Sequence, residues 1–163
     1  DYKKLIIIRS VVPARDMGFL PGSQKEKMKV YELPYKQIVT DLCERGDAYE
    51  ILQRKNLIEF ESTSFLRGVT FNDSLIMVDE VQNMSGQELH TIISRVGINS
   101  KIIFSGDFKQ PDLQKVNEKN GLYEFVSILD RMKSFDKIIF KPEDIVRSGL
   151  VKEYLLTKEK MIN

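Results

Sequence analysis

The stretch Leu75-Ile76-Met77-Val78-Asp79-Glu80-Val81-Gln82 sets four apolar residues directly before two acids. A short apolar run of this kind reads as a buried strand, so both carboxylates are expected at its carboxyl end. Just beyond it, Ser85-Gly86-Gln87-Glu88 matches the Ser-x-x-Glu capping box of a helix start. Leu89, Ile92, Ile93 and Val96 continue that helix at its own spacing until Gly97. Lys101–Ser105 is the next predicted strand, followed by a helix face at Leu122, Phe125, Val126 and Leu129, a last strand at Lys137–Phe140 and a final helix over Leu150–Thr157. Upstream, Leu5–Ile8 reads as a strand ending at Arg9, and Pro13, Gly18, Pro21 and Gly22 as a loop. Tyr35–Cys43 reads as a helix closed by Gly46, and Leu57–Phe60 as a short strand. Strands alternating with helices predict βαβ units, hence an α/β fold with a mainly parallel sheet whose ligands bind at the carboxyl ends of the strands.

Composition narrows the classes. The chain has 163 residues, 42% hydrophobic and 30% charged, which excludes a disordered or membrane-embedded chain and fits one domain over 1–163. With 25 Lys and Arg against 24 Asp and Glu, net charge implies no nucleic-acid partner. Cys43 is the single cysteine, and neither a signal peptide nor an apolar run of about 18 residues occurs, so a cytoplasmic setting without a membrane partner is expected. Cys43 shares an apolar pattern with Tyr35, Ile38, Val39 and Leu42 and reads as core filler. His90 has no Cys or His companion for a metal site and reads as a helix-surface residue. Lys25, Lys27, Lys29 and Lys36 interleave with Tyr31 and Tyr35 as single-strand-binding surfaces do, but Glu26 and Glu32 interrupt them, and a solvated helix face is the better reading.

Four apolar residues before Asp79-Glu80 form a Walker B pattern, in which the first acid helps to hold Mg²⁺ and its neighbour serves the attacking water. The competing reading is a strand end solvated by two acids. Gln82 completes Asp-Glu-x-Gln, which resembles the second motif of superfamily-one helicases, and Ser105-Gly106-Asp107-Phe108-Lys109-Gln110 is similar to their third. Gly106 and Asp107 are grouped with Asp79 as nucleotide-contacting residues, although Asp107 equally suits a turn cap. Gln110 carries an amide suited to reading the γ-phosphate or its water, against a bland reading as an exposed turn residue.

The resemblance becomes specific across the chain. Arg9 with Gly18-Phe19-Leu20-Pro21-Gly22, Leu66-Arg67-Gly68-x-Thr70-x-Asn72-Asp73, Val78-Asp79-Glu80-x-Gln82-Asn83, Ser105-Gly106-Asp107-x-x-Gln110-x-Asp112-Leu113 and Asp144-x-Val146-Arg147 resemble motifs of the phosphate-starvation-inducible PhoH-like family, in order. The resemblance implies a three-layer P-loop NTPase core that hydrolyses ATP with Mg²⁺, forms ring-like homo-oligomers and is linked to RNA or other single-stranded nucleic acid. Arg147 follows the last predicted strand and reads as a finger on transferring phosphoryl charge, in cis or from a neighbouring subunit, or else as the ion-pair partner of Glu143 or Asp144. Arg9 and Arg67 are candidate nucleic-acid contacts, with an ordinary loop arginine as the alternative for Arg67.

One element of such a core is missing. None of the nine glycines is followed by lysine, so the Gly-x-x-x-x-Gly-Lys-[Ser/Thr] phosphate loop does not occur here. In the family it lies upstream of the position of Leu5, so the first strand, phosphate loop and first helix are expected outside these residues, and Asp1 reads as a cut point. Lys101–Ser105 and Lys137–Phe140 are then expected to flank the missing strand. The complete protein is expected to be the enzyme, and the alternative is a non-catalytic RNA-binding or oligomerisation module.

Overall fold

A computed structural model of the chain describes residues 1–10, 24–63, 66, 68–107 and 116–162, apart from the side chains of 24–27, 116–120, 159 and 162. The expectations for Arg67, Gln110, Lys25 and Lys27 concern residues or side chains outside that set. The chain divides into two compact units, Asp1–Ser127 and Ile128–Asn163.

The first unit is built on four parallel strands, β1 (Lys4–Arg9), β2 (Ile58–Ser62), β3 (Ser74–Asp79) and β4 (Lys101–Phe104), in the order β2-β1-β3-β4. Register sorts their side chains, because partners across a parallel pair share a face. Ile6 lies opposite Ile76 and Ile8 opposite Val78, which in turn faces Phe104. All four of Ile6, Ile8, Ile76 and Val78 are buried, so the two central strands are covered on this face. Phe125 of α4 (Val116–Leu129) meets the Phe104 ring edge-on at 5.1 Å, and His90 of α3 (Gly86–Ile93) packs against Phe125 at 5.6 Å. A Cβ on Gly86 would sit 2.9 Å from the Gly121 Cα, so the two helices approach as closely as two glycines permit.

The opposite face carries Leu5, Ile7, Ile58, Phe60 and Met77, which pack with Met28, Tyr31, Tyr35 and Val39 of α1 (Gln24–Cys43) and with Tyr49 and Leu52 of α2 (Ala48–Arg54). The α1 residues recur at spacings of three and four, forming one inward stripe. Cys43, Ile38 and Leu42 lie off that stripe and are exposed, which corrects the core-filler reading of Cys43. Tyr31 and Tyr35 face the sheet, so they offer no stacking platform, and Lys36 is paired with Glu50.

The remaining elements refine the sequence expectations. The Ser85 capping box forms as read, with the Ser85 amide donating to Glu88 Oε2 at 2.8 Å and the Ser85 hydroxyl accepting from the Glu88 amide. In the second unit α5 (Gly149–Ile162) covers the predicted final helix. Lys137–Phe140 is not a strand: no pairing reaches it among the described residues, and Ile138, Ile139 and Phe140 are largely exposed. Its apolar run had suggested a strand, but a strand exists only where a neighbour completes its ladder. No helix among the described residues is long and apolar enough to cross a membrane.

Two predictions follow from the sheet. Ile76→Ala empties a fully enclosed site on the central strand and is expected to lower stability by about 2–5 kcal/mol in urea unfolding, against under about 1 kcal/mol for Ile103→Ala on the exposed side of β4. Glu59 and Glu61 share one face of β2, and burial, with the Glu59 carboxyl beside it, pushes the Glu61 carboxyl up to about 7. The folded chain therefore retains a proton that the unfolded chain releases from about pH 4.3, and this group's contribution to stability is lost as pH rises through about 7. Glu61→Gln is expected to raise the thermal midpoint above neutrality and to flatten its decline over that window. A midpoint that tracks the parent at every pH counts against this account.

Candidate active site

Parallel pairing of β1 with β3 sets Arg9 opposite Asp79, so both side chains leave the carboxyl end of the sheet on the face covered by α1. The Asp79 carboxylate is held from two sides. The Tyr35 hydroxyl donates to Oδ2 at 2.5 Å, and the Ser105 hydroxyl donates to Oδ1 at 2.7 Å. Tyr35 is almost completely enclosed, and burial, followed by its bond to Asp79, pushes its ionisation well above the ordinary tyrosine range. It therefore stays protonated and serves as a donor.

Glu80 occupies the left-handed region, with φ 55° and ψ 44°, a conformation uncommon for a residue bearing a Cβ. That kink turns the chain out of β3 into a short 3₁₀ turn, Val81–Asn83, and lets Glu80 lie beside Asp79. One Glu80 oxygen is 3.8 Å from the Arg9 guanidinium, and the other accepts from the Gln82 amide. The Arg9 guanidinium sits 5.6 Å over the Tyr31 ring. Two tyrosines one turn apart on α1 thus address the two acids, Tyr35 directly and Tyr31 through Arg9.

Gln82 joins this cluster to the next loop. It is 4% exposed, and its carbonyl oxygen accepts from the Asp107 amide at 3.1 Å. The backbones are tied as well, with Ser105 N donating to Val78 O at 2.8 Å and Val81 N to Ser105 O at 3.1 Å. A Cβ on Gly106 would lie 2.5 Å from the Gln82 carbonyl oxygen and 2.7 Å from Val81 Cγ2, so only glycine lets the loop run this close.

Of the residues singled out from sequence, Arg9, Asp79, Glu80, Gly106 and Asp107 come together here. Arg67 and Gln110 lie outside the described residues. Arg147 is exposed in the second unit, on the bend between the 3₁₀ turn Pro142–Asp144 and α5. Three participants were given no role beforehand: Tyr35, Ser105 and Gln82. Their signals were present in the inward stripe of α1, in the hydroxyl just before Gly106, and in the glutamine two residues past Glu80.

The donor set suits Mg²⁺, which binds hard oxygens and typically takes one or two protein carboxylates, completing its shell with waters and substrate phosphates. Each Asp79 oxygen has one hydroxyl partner and keeps lone-pair capacity for a cation or its water. Among the described residues no group of three or more His, Cys, Asp or Glu gathers into an all-protein cage.

Residues 1–158 match the family model described as PhoH-like protein. A PhoH-like protein of Bacillus subtilis is 33% identical over 159 residues, covering 97% of this chain and 49% of that protein. Protein PhoH2 of the same organism is 37% identical over 132 residues, 74% of this chain and 28% of its own length. Protein PhoH of Escherichia coli is 30% identical over 157 residues, 95% of this chain and 44% of its own length. The chain thus spans about half, or less, of the relatives it matches. On the family match over nearly all its residues, and with relatives 30–33% identical over 95–97% of it, the chain belongs to the PhoH-like protein family.

Proposed function

We propose that these residues form the metal- and water-handling half of an ATP-hydrolysing site, completed in the full-length protein by a phosphate-binding segment. The observation that carries the reading is the pair Asp79-Glu80 at the carboxyl end of a buried parallel strand, its two carboxylates held apart by different partners. A Mg²⁺ ion held at Asp79 would supply positive charge that offsets the charge developing on the transferring phosphoryl group. Asp79 supplies the carboxylate for that ion, its oxygens already oriented by hydroxyls. Glu80 accepts a proton from the water that attacks the γ-phosphorus; a bond forms from that oxygen to phosphorus as the bond to the β,γ-bridging oxygen breaks, releasing ADP and phosphate. Arg9 on one oxygen and Gln82 on the other fix the direction of the Glu80 carboxylate.

Gln110 is proposed to read the γ-phosphate, and Arg147 to stabilise charge on the transferring group from its own or a neighbouring subunit. RNA or another single-stranded nucleic acid is the proposed coupled partner, with Arg9 and Arg67 as contacts. Partial exposure of Arg9 supports that choice, since it leaves the guanidinium within reach of a phosphate.

Glu80→Gln in the complete protein is expected to leave ATP affinity within about twofold while turnover falls about 10²–10⁴-fold; unchanged turnover removes Glu80 from the mechanism. Arg147→Ala is expected to lower kcat more than affinity, since a finger acts in the transition state. Activity regained on mixing Arg147→Ala with Glu80→Gln protein identifies a finger given by a neighbour, and no recovery at any ratio argues for action in cis or a purely structural arginine.

A further inference from the structure

We infer that Tyr35 is a positioning residue for the metal-binding carboxylate: its hydroxyl, delivered from α1, fixes the rotation of Asp79 and thereby sets the affinity of the site for Mg²⁺ with ATP. The inference rests on the ATPase reading above and goes beyond it, since it assigns a role to a helix that carries none of the strand-end motifs.

An aspartate at a strand end rotates broadly about its last side-chain bond, because that torsion has no sharp staggered minima. Ser105 alone would hold only one oxygen. With Tyr35 on the other, at 2.5 Å against 2.7 Å for Ser105, the carboxylate plane is defined by two donors from two different layers. Tyr35 is itself immobile. It is 5% exposed, its ring lies 5.6 Å from that of Phe60, and Ile7, Ile58 and Tyr49 belong to the same cluster. The hydroxyl is therefore presented from a rigid wall, with the ordering of the side chain already met by packing. Asp79 is only partly buried, so water is available to it, and the fold does not require a phenol merely to satisfy that acid. Each oxygen accepts more than one bond, so Tyr35 keeps its place when a cation or its water arrives. Hydrogen bonds of this kind, made to a ligating carboxylate from behind, typically change metal affinity about 10–100-fold when removed.

Tyr35→Phe separates the hydroxyl from the ring, leaving the contact with Phe60 in place. In the complete protein, ATP binding is followed by calorimetry at a series of Mg²⁺ concentrations and again in excess chelator. Tyr35→Phe is expected to raise the half-saturating Mg²⁺ concentration about 10-fold, while metal-free ATP affinity stays within about twofold and the thermal midpoint of the unliganded protein is little changed. Ser105→Ala, which frees the other oxygen, is expected to shift the Mg²⁺ requirement in the same direction. Asp79→Asn separates the two levels of argument. If it leaves the Mg²⁺ dependence intact, the metal reading of Asp79 falls and this inference falls with it. If it abolishes that dependence while Tyr35→Phe titrates like the parent, the positioning role alone is overturned. Equal losses in Tyr35→Phe with and without Mg²⁺, accompanied by a lowered midpoint, likewise overturn it in favour of a structural hydroxyl. A 3-fluorotyrosine at position 35 reads the same contact without deleting it: its ¹⁹F resonance is expected to move on saturation with Mg²⁺ and ATP, and a resonance that stays in place counts against the inference.

Discussion

The in-register pairing of β1 with β3 is the constraint on which the rest of the first unit depends. It sets Leu5 beside Leu75, Ile7 beside Met77 and Arg9 beside Asp79 on one face, and Ile6 beside Ile76 and Ile8 beside Val78 on the other. A slip of one residue in β3 would exchange its two faces, moving the fully enclosed Ile76 and Val78 onto the α1 side and taking Asp79 off it, away from Tyr35. The hydrophobic core and the strand-end cluster are thus fixed by the same hydrogen-bond ladder. The energy that specifies the register comes from the apolar side chains, and Arg9, Asp79 and Glu80 are carried to their places at its end.

Adjacent carboxylates repel, and their environments give them separate tasks. Asp79 receives two hydroxyl donors, which orient its oxygens and, in the function proposed above, present them to a cation. Glu80 receives a guanidinium and an amide, and its left-handed backbone directs it away from the line of the strand. That conformation costs on the order of 1–3 kcal/mol at a residue with a Cβ. Here it is over-determined by the Val81 amide bonded to Ser105 O and by the buried Val81 and Gln82 that follow.

How much was legible in the sequence follows from which interactions are local. The strand before Asp79 and the capping box at Ser85 were readable because apolar runs and caps depend on neighbours a few residues away. Alternation of strand and helix implied the parallel sheet, and the order of strand-end motifs implied which residues would lie together at its carboxyl end. The Tyr35–Asp79 hydrogen bond was not legible because it joins residues 44 positions apart, and spacing within α1 says only which side is inward. The interleaved lysines and tyrosines read as a solvated helix face in preference to a stacking surface, yet the tyrosines belong to the inward stripe with Met28 and Val39. The α2 helix, only seven residues long, escaped notice because so short a segment shows little periodicity. Lys137–Phe140 looked like a strand for the converse reason: its apolar run was local, whereas a ladder partner is not.

Gln82 shows how a motif residue can act by geometry alone. Its amide nitrogen donates to the proposed base, and its carbonyl oxygen accepts from the backbone that leads into the third-motif loop. Both ends are engaged and the side chain is buried, so it cannot move at one end without straining or breaking the bond at the other. Gly106 closes the linkage by lying so near the same carbonyl oxygen that a methyl group would be excluded. A displacement of the loop after β4 is therefore transmitted to the direction of the Glu80 carboxylate. In a site where that loop meets the phosphate being cleaved, the base would be aimed by the same contact that registers the substrate, and hydrolysis would be tied to occupancy without any large movement of the sheet.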